Sequence, residues 1–157
     1  MNIRAAVAAD TDTICDLYDT LFQEMADLQP EYFQLARQSR GFLLSIIEAE
    51  DADILLAEED GRLLGFALVQ ESSTPPLGCL IRHRYAYLMD ACVVEEERSK
   101  GTGSYLVESV KTWAQRRNLD YVELNVLSNN DRAISVYQRE GFEEEMRTMR
   151  CQLKKDG

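Results

Sequence analysis

Histidine is almost missing from this sequence: His83 is the only one in 157 residues. Cys15, Cys79, Cys92 and Cys151 lie far apart, with no C-x-x-C pair and no histidine beside them. A structural zinc site is left short of ligands, so the sequence predicts no metal and reads the cysteines as reduced thiols. Only 3 prolines and 8 glycines occur, without a low-complexity tract or a repeat period, which excludes disordered and solenoid architectures. No window reaches the roughly eighteen apolar residues of a membrane span, and no basic segment leads into an apolar run at the N-terminus. A soluble, cytoplasmic protein with no membrane partner is the expectation.

Positive charge is also scarce, with 17 Lys and Arg against 28 Asp and Glu for a net charge of −11. Nucleic acid is excluded as a partner, because counterion release needs clustered basic residues. A cationic small molecule or basic peptide suits that field, although an acidic surplus also serves solubility alone. What the chain does have is material for a core. Its residues are 45% apolar, and a chain of this length buries roughly 68–70% of its unfolded surface, so residues 1–157 are expected to form a single domain.

The run "NIRAAV" reads as an opening strand, and Asp10 or Thr11 caps a helix with the apolar stripe Ile14, Leu17, Tyr18, Leu21, Phe22 and Met25. Beyond Pro30, Tyr32, Leu35, Phe42, Leu43, Ile46 and Ile47 continue helically, with Gly41 a weak point. "ADILLAEEDGRLLGFALVQES" predicts a hairpin turning at Asp60-Gly61. After a loop around Pro75 and Pro76, "RYAYLMDACVV" is the fourth strand. A helix over 104–117, a strand "DYVELNVL", a helix within "SNNDRAISVYQREGF" closed by Gly141, and a final strand "MRTMRCQL" complete the order.

Gly101 and Gly103 stand one residue apart where the fourth strand passes into a helix. Free backbone N–H groups gather at such a junction, at the positive end of the helix dipole, and a side chain there would block an approaching anion. A phosphorylated cofactor explains the pair, and a plain turn needing backbone freedom explains it as well. The dinucleotide fingerprint fails because its third glycine position is Leu106. Residues 98–105 do not supply a Walker loop either.

What fits is R-x-x-G-x-G, spelled by Arg98, Ser99, Lys100, Gly101, Thr102 and Gly103. A second motif, N-x-x-A-x-x-x-Y-x-x-x-G-F, is carried by Asn130, Ala133, Tyr137, Gly141 and Phe142. Spacings of three and four put Asn130, Ala133 and Tyr137 on one helical stripe, within reach of one ligand. By these two motifs the chain resembles the GNAT superfamily of acyl-CoA N-acyltransferases over nearly its whole length. The resemblance implies an α/β fold: a mixed, mostly antiparallel sheet of about six to seven strands flanked by about four helices. It further implies an acetyl-CoA-dependent N-acetyltransferase acting by direct attack of an amine on the thioester.

The roles it implies are specific. The loop Arg98 to Ser104 (Arg98, Ser99, Lys100, Gly101, Thr102, Gly103 and Ser104) would hold the CoA pyrophosphate, through the amides of Ser99 to Ser104. Val93 and Val94 would pair with the pantetheine arm, with Asn130 and Ala133 alongside. Tyr137 would protonate the departing thiolate, and a backbone N–H near Val93 would steady the carbonyl oxygen. The amine must lose a proton, and with one imidazole available carboxylates are the candidates. Asp90 is the first choice and Glu123 the second; Glu95, Glu96 and Glu97 read as a solvated turn. Cys92 invites a covalent reading, but no base or cation is placed beside it.

For the acceptor, Tyr32 and Phe33 are expected to wall the pocket. Net charge favours a polyamine, an aminoglycoside or a lysine-bearing peptide, whereas Arg82 and Arg84 could grip the carboxylate of an amino-acid-like acceptor. A homodimer follows from the resemblance alone. Two other readings stay open at this point, a non-catalytic acyl-CoA-binding module and a nucleotide-binding regulatory domain.

Overall fold

The computed structural model describes residues 1–154. The hairpin predicted at Asp60-Gly61 joins β2 (Ala52–Glu59) to β3 (Arg62–Ser73). Both turn residues take positive φ, 52° and 77°, which matches the twist of the flanking strands. With β1 (Asn2–Ala5), β4 (Arg84–Val93) and β5 (Val122–Leu124) they form one sheet in the order β1-β2-β3-β4-β5. The first three pairings are antiparallel and the last is parallel.

The central strands are apolar almost throughout because both of their faces are covered. Ile54, Leu56, Phe66 and Leu68 face α1 (Thr11–Leu28) and α2 (Arg40–Glu48), forming one buried cluster with Ile14, Tyr18 and Leu43. Leu55, Ala57, Ala67 and Val69 face α3 (Thr102–Arg116) and its Leu106, Val110 and Trp113. Alternation along each strand feeds the two cores in turn. The last helix, α4 (Asp131–Arg139), lies beside α3, where Lys111 Nζ holds Glu140 Oε2 at 3.0 Å.

Four expectations change. The described sheet has five strands rather than six or seven. β5 covers only 122–124 of the predicted 120–127, because its pairing with β4 ends at Leu88↔Leu124. The run 146–153 joins no strand among the described residues and forms no ladder with any of them. Tyr32 and Leu35 lie in a loop, not a helix. Ser39, accepting the Phe42 N–H at 3.2 Å, caps the second helix only at Arg40, a start that polar caps favour over the residues after Pro30.

Candidate active site

Opposite Leu68 and Val69 of β3 stand Asp90 and Leu88 of β4, so Met89 is one residue too many on its strand. A bulge of this kind reverses the facing of the residues beyond it. Leu88 packs toward α3, while Asp90 turns to the α1 side. There the buried Tyr18 donates its hydroxyl to Asp90 Oδ2 at 2.6 Å. Burial raises the Asp90 carboxyl above its ordinary value, and the Tyr18 bond only partly opposes this. The result is a carboxylate fixed in direction and ready to take a proton.

Tyr137 approaches from α4. Burial raises its phenol, the Asp90 charge adds to the rise, and Phe142 packs against its ring at 5.7 Å between centroids. A phenol in these surroundings stays protonated at neutral pH. Cys92 lies nearby, buried, with its thiol pushed up to about 11 mainly by desolvation. It is a core thiol rather than a nucleophile.

The end of β4 leads into the glycine loop. Val94 N–H donates to Leu64 O at 2.8 Å, so the neighbouring Val93 points its N–H and C=O away from β3, toward the side where β4 and β5 part. Val94 therefore does not offer its amide to that side, contrary to the sequence expectation. The Val93 carbonyl is also occupied, by Arg98 Nε at 3.1 Å. That leaves the Val93 N–H. Gly65 permits this crowded packing, since a Cβ there would meet Cys92 O at 2.5 Å.

Gly101 takes φ 89° just before α3, and Ser99 takes φ 64°. Among the described residues, the N–H groups from Ser99 to Ser104 have no backbone acceptor. Gly101 and Gly103 have no atom within 3.4 Å of where a Cβ would sit, so the glycines answer to backbone shape and to whatever approaches from outside. An anion carrying several oxygens fits this run of donors.

Asn130 is the N-cap of α4, its Oδ1 accepting from Ala133 N at 3.3 Å, and its Nδ2 donates to no acceptor among the described residues. Ala133 and Tyr137 follow on the same half-buried stripe. Thus Asp90, Val93, the 98–104 loop, Asn130, Ala133 and Tyr137 gather where β4 and β5 diverge. Glu123 lies in β5 opposite Tyr87, exposed, about 10 Å along the sheet from Asp90 at ~3.3 Å per residue. Asn125 Nδ2 donates to Tyr87 Oη at 3.0 Å on the same side.

Arg82 and Arg84 are not brought to this cleft. Arg84 opens β4 six residues before Asp90, about 20 Å away at ~3.3 Å per residue, and is held by Glu71 at 2.7 Å. Tyr32 and Phe33 lie just past the end of α1. There the Tyr32 hydroxyl donates to Gln152 Oε1 at 2.7 Å, under the Arg150 guanidinium at 3.7 Å from the ring centroid. Two residues that sequence reasoning passed over matter here. Tyr18 was legible only as one more member of an apolar stripe. Glu24 ion-pairs with both Arg98 and Arg132, joining α1, the glycine loop and α4.

A bulged sheet whose β4 and β5 part, a helix start with unpartnered N–H groups, and a half-buried Asp and Tyr thus meet in one cleft. The acetyltransferase (GNAT) family model matches residues 14–142, and the chain belongs to that family. Over 148 residues it is 30% identical to the uncharacterized N-acetyltransferase YhfO of Bacillus subtilis, covering 92% of this chain and 91% of that protein. A mutant of the BH1408 protein from Bacillus halodurans has the same fold, with TM-score 0.94 at 22% identity over 98% of this chain and all of that one. The aminoglycoside N-acetyltransferase AAC(6')-Iy, solved with CoA, aligns with TM-score 0.71 at 20% identity, over 98% and 99% of the two chains. The protein is an acyl-CoA-dependent acetyltransferase. Among the described residues no helix is long and apolar enough to cross a membrane.

Proposed function

We propose that residues 1–157 form one N-acetyltransferase domain that moves an acetyl group from acetyl-CoA to a primary amine, using Asp90 as general base and Tyr137 as general acid. The observation that carries this is the unpartnered run of N–H groups from Ser99 to Ser104 beside those two half-buried side chains. Bound acetyl-CoA supplies the thioester. The loop amides hold the pyrophosphate, Asn130 Nδ2 and the Val93 N–H serve the arm and the carbonyl oxygen, and Ala133 leaves room for them. Asp90 takes a proton from the attacking nitrogen, directly or through one water. As the carbon–nitrogen bond forms and the carbon–sulfur bond breaks, Tyr137 gives its phenolic proton to sulfur. Solvent then returns a proton to Tyr137 and removes one from Asp90.

The acceptor is read as a cationic small-molecule or peptide amine. The net charge of −11 and the remoteness of Arg82 and Arg84 favour it over an amino-acid-like acceptor. Tyr32, Phe33 and Glu123 are the residues assigned to it. The setting is read as cytoplasmic, in keeping with four free cysteines, and the working unit as a homodimer.

The test is thermal unfolding with acetyl-CoA, CoA, NAD and ATP in turn, followed by thiol release against a panel of amines. A ligand at about 100 times its dissociation constant adds roughly 2.7 kcal/mol. Stabilisation by both CoA species but not by NAD or ATP, then turnover with a polyamine, aminoglycoside or lysine peptide, is the expected result. Absence of any CoA effect overturns the reading.

A further inference from the structure

Tyr85 and Tyr87 of β4 share one face of the sheet with Tyr121, Glu123 and Asn125, which lie along β5 and at its two ends. Ala86, Leu88, Val122 and Leu124 pack toward α3, and side chains alternate along a strand, so the residues between them turn to the opposite face. It is the face to which the bulge also turns Asp90. On that side α1 packs on β3 and β4 and α2 on β2, while Tyr121, Glu123 and Asn125 are exposed. An open strip therefore runs along β4 and β5 and ends at the carboxylate assigned as base.

The chemistry of the strip is specific. The Tyr85 and Tyr121 rings stack, with centroids 5.0 Å apart and 12° between their planes. Asn125 Nδ2 donates to the Tyr87 hydroxyl at 3.0 Å, and Tyr87 stands directly across from Glu123. The neighbouring carboxylates are engaged, Asp120 by His83 at 2.8 Å and Glu71 by Arg84 at 2.7 Å. Among the described residues the Glu123 side chain has no ion pair and no hydrogen bond of its own. A carboxylate without a partner, set among electron-rich rings, is a receptor for an ammonium group.

We propose that this strip holds the second cationic group of an extended amine acceptor, with Glu123 as its counter-charge and Tyr85, Tyr87 and Tyr121 as its aromatic wall, while the reacting nitrogen lies at Asp90. Glu123 stands about 10 Å along the sheet from Asp90 at ~3.3 Å per residue, beyond the second nitrogen of a short diamine. The acceptor class narrows accordingly to long linear diamines and polyamines. A group held this far from the thioester binds alike in the ground state and the transition state, so its contribution enters through KM rather than kcat. The inference rests on the reading of the chain as an amine acetyltransferase with Asp90 as its base.

The test measures thiol release from acetyl-CoA with linear diamines from diaminoethane to diaminodecane and, for each, the alkylamine of the same length. Wild type is compared with Glu123→Gln, Tyr121→Leu and Tyr121→Phe. The readout is the ratio of kcat/KM between diamine and alkylamine, in which a loss in the acetyl-transfer step itself cancels. For the wild type the ratio is expected to rise by roughly tenfold, mostly through KM, as the nitrogen spacing reaches ~10 Å, the combined scale of an exposed ion pair and a cation–π contact. Glu123→Gln should flatten that rise, Tyr121→Leu should reduce it and Tyr121→Phe should keep it. A wild-type ratio that ignores chain length overturns the subsite alone. So does a Glu123→Gln variant that slows both amines alike and keeps the rise, which is how a general base would behave. Stabilisation by CoA with no turnover of any amine overturns the amine-acceptor reading and the subsite together.

Discussion

Between β3 and β4 nine residue pairs face one another, from Gly65↔Val93 to Ser73↔Arg84, whereas the pairing of β4 with β5 stops after three. On the first side the backbone is satisfied, and Leu56, Phe66, Leu68 and Val69 are fully buried around it. On the second side the strands part, and there lie the Val93 N–H, Asp90, the glycine loop and Tyr137. A backbone group already paired within the sheet is closed to a ligand. The complete half stabilises, and the incomplete half is left able to bind.

Substitutions in the two halves should therefore separate turnover from stability. The largest effect is expected from Tyr137→Phe in the open half: kcat falls by about 10²–10⁴-fold, the scale of a lost general acid, while the melting temperature and its rise with CoA stay as in the wild type. Leu56→Ala in the closed half should do the reverse, lowering stability by about 2–5 kcal/mol with CoA affinity of the folded protein retained, as calorimetry would show. Gly101→Ala tests the border between them. A left-handed φ of 89° disfavours a Cβ by about 1–2 kcal/mol, and here both unfolding temperature and CoA affinity should drop.

Asp90→Asn has a small stability effect of defined sign. Because burial raises the folded-state carboxyl, charging it works against the fold. That penalty is absent at pH below the unfolded value, grows between the unfolded and the folded values, and is fully present above the folded one. Asp90→Asn should melt slightly higher than wild type at neutral pH, with the gain vanishing in acid, and should lose most of its turnover. In the wild type, kcat/KM should rise with pH through a value above the usual carboxylate range. A profile that is flat there would move the base assignment to Glu123.

Local signals were readable in the residues themselves. Asp60-Gly61 and Gly101 need particular φ values, and the Asn130, Ala133, Tyr137 stripe follows from helical spacing, so the sequence carried them without a fold. What it could not carry depends on distant neighbours. Tyr18 and Asp90 are 72 positions apart, and only the bulge at Met89 turns one toward the other. β5 looks longer in sequence than it is because strand propensity does not register where a partner ends. Arg82 and Arg84 seemed close to the site by chain order, yet a strand running away from Asp90 carries them off. The same limit applies to 146–153, whose alternation is real but which joins no strand among the described residues.

Glu24 is shared between Arg98 and Arg132, so one carboxylate faces two guanidiniums beside the glycine loop, and Lys100 lies 3.9 Å from Glu97. An arriving pyrophosphate would meet peptide dipoles together with about one uncompensated positive charge. Dipoles release few condensed counterions, so the affinity for CoA should fall only modestly as ionic strength rises. The chain can then keep its strong negative charge and still hold a polyanion.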